Sequence, residues 1–313
     1  MTLTEIIDNA QSVLIIGHQR PDGDCIGAGL ALKSVCTTHG KPCDFVFDSP
    51  VPAHFAFLPA FDTLNAFSAK PYDTVICVDC ADHLRTGKYI GYVKNAGISV
   101  NIDHHQTNNR FAAVNIVVPE ASSTCEVLFD LLEPAGELND TVAYYLFVGL
   151  STDTGHFMHS NTTAKVFRTA AKLAEYKFDP HAVASNLYKN TTAGKMKLIA
   201  RAIQSMRFFA DGKVCVISVR PEDLQACDCV LADTEGLIDY GMMIGSVEVA
   251  ICLTEQNNPQ FKVSFRSKGA DVAAAAAVFG GGGHKLAAGC TVSGKYEDVV
   301  RKVVKSVTDG MPL

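Results

Sequence analysis

Short apolar runs alternate with longer stretches of helical periodicity through the first half of the chain, the pattern of a parallel α/β sheet. Val13-Leu14-Ile15-Ile16 predicts a buried strand, with a helix after it over about 25–39. Residues 74–79 and 98–103 predict two more strands of the same kind. A helix is expected to begin at Ser123, which has capping-box spacing to Glu126, and another over about 139–149 delivers Asp153 just past its end. Helical patterns at 162–176 and 195–206 flank a polar stretch, 189–194, where the composition places a domain boundary. Beyond it, 207–209, 214–218, 247–253 and 261–266 read as strands of a mixed sheet. A helix begins at 273–277, a glycine run follows, and 285–288 look helical again. The expected fold is therefore α/β: a parallel-sheet domain over 1–189 and a smaller mixed-sheet α/β domain over 190–313.

Length supports two cores, since 313 residues exceed what one usually serves. The first residues have no basic segment, and Val13 to Gly17 is too short an apolar run for a signal peptide or a membrane span. A cytoplasmic location with no membrane partner is expected, with the eleven cysteines as reduced, mostly buried thiols. Cys77 and Cys80, which have no second pair at zinc spacing, read as packing at a strand end. The net charge of −6 divides into −7 over 1–189 and +1 over 190–313. Neither half has the Lys/Arg stripe that tracks many phosphates, which argues against a long duplex groove, so a nucleic-acid substrate, if there is one, should be short.

The acidic excess has a chemical meaning. His18, Asp22, Asp24, Asp79, Asp103, His104, His105 and Asp153 all fall at expected strand or helix ends, where open α/β sheets put their sites. One Asp after a strand is more often a helix cap, and one His more often a surface residue. Together they offer the mixture of carboxylate and imidazole that a pair of divalent cations needs, Mn²⁺ above all. Pro21 fixes φ and Gly23 permits a positive one, so Asp22 and Asp24 are expected to point apart toward different cations. Asp79 is the natural bridging carboxylate. The other histidines show no partner pattern. Downstream, Gly280 to Gly283 followed by His284 reads as a phosphate grip built from backbone N–H groups, with Arg266 adding a bidentate clamp.

Asp103-His104-His105, preceded by His18-x-x-x-Asp22-x-Asp24 and Asp79 and followed by Asp153, resembles the DHH phosphoesterase superfamily. Ser264-Phe265-Arg266-Ser267 and the stretch from Phe279 to Gly289 resemble its DHHA1 substrate domain. A chain of this length carrying both looks most like the NrnA-type oligoribonucleases, which also dephosphorylate 3′-phosphoadenosine 5′-phosphate. That resemblance implies two Mn²⁺ ions, with Mg²⁺ or Co²⁺ as substitutes, one on His18, Asp22 and Asp79, the other on Asp24, Asp79, His104 and Asp153. It implies a catalytic set of His105, Asp79 and Asp103, with His105 against the scissile phosphate. Arg266, Ser267, Gly281, Gly282, Gly283 and His284 are the implied substrate-binding residues. The expected activity is hydrolysis of short oligoribonucleotides to mononucleotides and of 3′-phosphoadenosine 5′-phosphate to AMP. A phosphodiesterase for linear or cyclic dinucleotides is a second enzyme reading, and a nucleotide-binding regulator with a vestigial site a third. Direction of attack and oligomeric state, monomer or homodimer, stay open at this point.

Overall fold

The computed structural model describes residues 1–68, 70–257 and 259–309, so the last four residues of the expected second domain lie outside the described residues. The chain divides into two compact units, Met1–Asn190 and Thr191 onward.

The first unit is built on five parallel strands in the order β2-β1-β3-β4-β5. They are β1 (Val13–Gly17), β2 (Cys43–Val46), β3 (Thr74–Val78), β4 (Ile98–Asp103) and β5 (Val114–Val117). Helices α1 (Leu3–Asn9), α2 (Gly23–Thr38), α3 (Ile90–Asn95), α4 (Thr124–Leu132), α5 (Asp140–Asp153), α6 (Ala164–Leu173) and α7 (Pro180–Tyr188) surround it. β1 and β3 read as nearly unbroken apolar runs because both faces are covered, whereas β4 interleaves the buried Ser99 and Asn101. Val13, Ile15 and Ile76 pack with α2 and α5 residues such as Ile26, Leu30 and Leu146, whereas Leu14, Ile16 and Val75 pack with Tyr72, Tyr89 and Val93. Helix α2 lies buried along much of its length, and two glycines let it approach its neighbours closely. A Cβ on Gly29 would overlap the Phe45 ring, and one on Gly27 would meet the Tyr145 carbonyl. The chain leaves β1 toward β2 on one side and β3 toward β4 on the other. The topology therefore opens a crevice at the carboxyl ends of β1 and β3.

The second unit comprises α8 (Ala193–Gln204), β6 (Arg207–Phe209), β7 (Val214–Val219), α9 (Pro221–Ala226), α10 (Leu237–Met242), β8 (Val249–Asn257), β9 (Gln260–Ser267), α11 (Val272–Ala277), β10 (Gly282–His284), β11 (Ala287–Ser293) and α12 (Tyr296–Thr308). Its six-stranded sheet runs β10-β11-β9-β8-β7-β6, mixed because β7 and β8 pair in parallel and the other pairs are antiparallel. Val263 and Phe265 face Val299 and Val303 of α12, while Cys215, Ile217 and Ala250 face Leu198 of α8 and Leu237 of α10.

Three local expectations change. Helix α5 continues to Asp153, which is its last residue rather than lying past its end. Ser123 does cap α4 by accepting the Glu126 N–H, but the Glu126 carboxylate takes the Ser122 amide (2.6 Å) in place of the cap's own. Residues 285–288 are not helical: Lys285 and Leu286 turn the chain between β10 and β11, with His284 opposite Ala287.

At the end of α2, His39 lies with Nδ1 2.7 Å from Asp8 and Nε2 3.0 Å from Glu137. Glu137 and then Asp8 raise its pKa above the ordinary histidine value near 6.5. A raised folded pKa gives stability that is fully present below the unfolded value and lost as pH rises through the folded one. His39→Gln should therefore lower the thermal midpoint more at pH 6 than at pH 9. Equal losses at both would show that packing, not charge, is what His39 supplies.

Candidate metal centre

Gly17 ends β1, where a Cβ would overlap the Phe47 ring, and His18 follows it, buried. The turn is made at Arg20, whose φ is +58°. Gly23 has no positive φ; it is glycine because a side chain there would run into Thr152 of α5. Asp22 caps α2 by accepting the Cys25 N–H (3.0 Å), and its other oxygen lies 3.7 Å from His18 Nε2. Asp24, fully buried in the first turn of α2, accepts the N–H groups of Thr124 (2.6 Å) and Cys125 (2.9 Å) at the start of α4.

Asp79 follows β3 with φ +58°, a conformation costly for a non-glycine residue, and its N–H donates to the Ile102 carbonyl at 3.0 Å. Its carboxylate is the meeting point. It lies 3.3 Å from His18 Nε2, 3.7 Å from His104 Nε2 and 3.5 Å from His105 Nδ1, and accepts the Thr124 hydroxyl at 3.0 Å. His104 Nε2 is also 3.9 Å from Asp24 and 3.3 Å from Asp153. Its Nδ1 sits 3.2 Å from the Ala121 carbonyl, which can only accept, so Nε2 is the nitrogen turned toward the acids and available to a cation. Asp103 stands behind His105: one oxygen is 2.7 Å from His105 Nδ1 and accepts the His104 N–H, the other accepts Asn108 Nδ2 at 2.6 Å.

Every site residue expected in the first unit is thus gathered around Asp79, though Asp103 serves by holding His105 and not by facing the other acids. Ligand atoms lie mutually within 4.8 Å in three overlapping groups: His18, Cys25 and Asp79; Asp79, His104 and His105; and Asp24, His104 and Asp153. Two participants have no signal in the sequence. Cys25 is an ordinary small apolar residue in a helical pattern, yet its Sγ accepts the His18 N–H at 3.3 Å. Arg85, which no motif marks, lies 2.9 Å from His18 Nδ1.

The donor set suits divalent cations: carboxylates and imidazoles, hard and borderline, with excess negative charge. Burial, then Asp79, pushes the Asp153 carboxyl up to about 8. Burial, then Asp79 and Asp153, also raises Asp24 well above the carboxylate range. Acids strained toward protonation by one another are what a bound cation relieves.

The second group of expected residues lies in the second unit. Register places His284, Ala287 and Arg266 in one row across β10, β11 and β9, with His284 and Arg266 exposed. Ser267 is buried; its N–H donates to the Leu286 carbonyl and its hydroxyl accepts the Gly269 N–H, both at 3.0 Å. Gly280, at φ +72°, ends α11 with its amide on the Ala277 carbonyl, and the Gly281 amide reaches Ala276. These two amides close a helix and are not presented to an anion. Gly282 and Gly283 are exposed in β10.

Residues 12–150 match the model of the DHH family, N-terminal domain, and residues 232–309 that of the DHHA1 domain. The bifunctional oligoribonuclease and PAP phosphatase NrnA of Thermus thermophilus is 33% identical over 305 residues, covering 95% of this chain and 90% of that protein. A probable bifunctional oligoribonuclease and PAP phosphatase NrnA of Streptococcus mutans is 28% identical over 92% of each chain. The crystal structure of an exopolyphosphatase-related protein from Bacteroides fragilis superposes with a TM-score of 0.91 at 24% identity, covering 98% of this chain and 94% of the other.

The crowding of acids makes a prediction for the chelated protein. A carboxyl whose folded pKa is raised loses stability for the fold as pH climbs from its unfolded to its folded value, here about 4 to about 8 for Asp153. Asp153→Asn should raise the cation-free thermal midpoint at pH 9 more than at pH 5. The same substitution should shrink the rise in midpoint that Mn²⁺ gives the wild type. A variant that gains nothing at pH 9, or still responds fully to Mn²⁺, would remove Asp153 from the cluster.

Proposed function

Because the chain belongs to the DHH family of phosphoesterases, with a DHHA1 domain, we propose that it hydrolyses short oligoribonucleotides to mononucleotides and 3′-phosphoadenosine 5′-phosphate to AMP, using two Mn²⁺ ions. The observation that carries this reading is the convergence of acids and imidazoles on Asp79 at the carboxyl ends of β1, β3 and β4. The names of the relatives, oligoribonuclease and PAP phosphatase, support the substrate class.

His18, Asp22 and Asp79 would hold one ion, and Asp24, Asp79, His104 and Asp153 the other, with Asp79 shared. Such a pair supplies Lewis-acid neutralisation of phosphate charge and acidifies water so that hydroxide is available near neutral pH. The rest falls to the chain's own groups. Asp103 fixes the His105 ring through Nδ1, so Nε2 is the nitrogen turned to the substrate. The Asp103 hydrogen bond raises His105 to about 9, which keeps a proton on Nε2 for a non-bridging oxygen or the leaving oxyanion. Arg266 and His284 of the second unit, both exposed, would bind a phosphate or base that does not react. Among the described residues no helix is long and apolar enough to cross a membrane.

Two expectations test this. With Mn²⁺, turnover should fall steeply from di- and tetranucleotides toward long RNA, since the −7 and +1 halves cannot track many phosphates. Chelation should abolish it, and equal efficiency on a two-mer and a twenty-mer would refute the short-substrate reading. Arg266→Ala and His284→Ala should leave Mn²⁺ content intact and cost on the order of 2–4 kcal/mol in kcat/KM on a substrate with a second phosphate. The loss should be smaller on bis-p-nitrophenyl phosphate, which offers nothing remote to bind. Equal losses on both would assign these residues to the fold.

A further inference from the structure

Asp153 is the expected cation ligand with the least secure footing. It ends α5, and the last carbonyls of a helix have no partner within it. The chain then turns left-handed through Gly155, His156 and Phe157, at φ +54°, +56° and +66°. Their amides go elsewhere: Gly155 to the Thr152 carbonyl, His156 to that of Ser151 and Phe157 to the Thr154 hydroxyl. What meets the Asp153 carbonyl is a pair of side chains, Asn161 through Nδ2 at 3.1 Å and the exposed His159 through Nδ1 at 3.3 Å.

Asn161 has a second attachment. Its Nδ2 also donates to the Ser122 carbonyl at 3.0 Å. A carbonyl can only accept, so the amide must turn its NH₂ toward both, and each of its two protons is used. Ser122 is gripped from its other side as well, since its own N–H donates to the buried Glu126 carboxylate at 2.6 Å. The single amide of Asn161 therefore ties the end of α5 to a point that cannot drift.

That point lies within the segment that holds the other ligands expected on the same ion. The Ala121 carbonyl faces His104 Nδ1, the Thr124 and Cys125 amides donate to Asp24, and the Thr124 hydroxyl donates to Asp79. Residues 121–125 thus touch Asp24, Asp79 and His104, and Asn161 joins Asp153 to them. His18 and Asp22, expected on the other ion, are held at the start of α2 instead, where Cys25 Sγ accepts the His18 N–H and the Cys25 N–H donates to Asp22. The two expected ions therefore rest on different supports, and Asn161 belongs to one of them.

We propose that Asn161 is a positioning residue for one cation of the pair: by locking Asp153 to residues 121–125 it completes the site of Asp24, Asp79, His104 and Asp153 and leaves that of His18, Asp22 and Asp79 to its own supports. The inference rests on the two-cation reading above but not on its choice of substrate.

The test compares wild type, Asn161→Ala, Asn161→Ser and Thr162→Val. Thr162 neighbours Asn161 in the same loop, and its hydroxyl is buried with no hydrogen-bond partner among the described residues, so its removal disturbs the loop without breaking a bond. Chelated protein is titrated with Mn²⁺ by calorimetry, electron paramagnetic resonance reports whether the bound ions form a spin-coupled pair, and thermal melts confirm folding. In Asn161→Ala one of two ions should bind on the order of 10–100-fold more weakly, the cost of losing an outer support, while the other is unchanged. At a Mn²⁺ level that saturates the wild type, the coupled signal should give way to that of an isolated ion. It should return, together with turnover of a dinucleotide, when Mn²⁺ is raised. Asn161→Ser, which keeps one donor, should weaken the same ion by less, and it carries the test if Asn161→Ala does not fold. Thr162→Val should keep both ions. Equal weakening of both ions, or a loss matched by Thr162→Val, would make Asn161 a support of the fold and overturn the proposal, as would two ions bound as tightly as in the wild type. A wild type that binds a single Mn²⁺ would defeat the two-ion reading, and the inference would then stand if the Asn161 variants but not Thr162→Val weaken that ion, and fall if they do not.

Discussion

The mutual repulsion of buried carboxylates around Asp79 is the constraint to which the first unit answers. Asp22, Asp24, Asp79 and Asp153 come from α2, the end of β3 and the end of α5, and Asp24 and Asp79 are almost wholly buried. Holding such charges together demands rigid supports that cannot relax apart. The parallel sheet supplies them: β1, β3 and β4 are locked in register with both faces covered, so the residues that follow them cannot drift. Helix α2 packs against α5 through Gly27 and Gly23, which fixes the acids of one against the acid of the other. At Asp79 the main chain is held left-handed by its bond to Ile102, a local strain that aims the carboxylate into the crevice.

How much of this was legible follows from how local each signal is. β1 and β3 read directly because a strand covered on both faces is a nearly unbroken apolar run, and β4 by its alternating Ile98, Val100 and Ile102; the acids and imidazoles after them stand out against these patterns. The end of α5 looks shorter in the sequence than it is because Ser151 and Thr152 break its apolar pattern; the Thr152 hydroxyl in fact donates back to the Gly149 carbonyl within the helix. Residues 285–288 look helical by composition, but the cross-strand pairing of β10 with β11 and of β11 with β9 overrides that preference. Gly23 after Pro21 suggests a turn that Arg20 makes instead, since nothing in a sequence reveals that Thr152 lies opposite. Arg85 had no signal at all, because its meaning lies in a contact with a residue 67 positions away.

One alternative posed by the sequence dissolves on inspection of the bonds. An aspartate after a strand reads as either a helix cap or a ligand, and Asp22 has the geometry for both. Asp22 uses one oxygen for the Cys25 amide and turns the other to His18. Asp24 meets two amides at the start of α4, and each carboxylate oxygen retains a further lone pair. The helix termini favour the anionic form that burial and like charges disfavour. At Asp22, His18 and the Cys25 amide outweigh burial and hold the carboxyl below its ordinary range, whereas at Asp24 burial, then Asp79 and Asp153, outweigh the two amides and raise it. Thr124, whose amide holds Asp24, also gives its hydroxyl to Asp79. The start of α4 thereby fixes two carboxylates relative to each other through a single residue, which sets the spacing between the groups that would share a pair of cations.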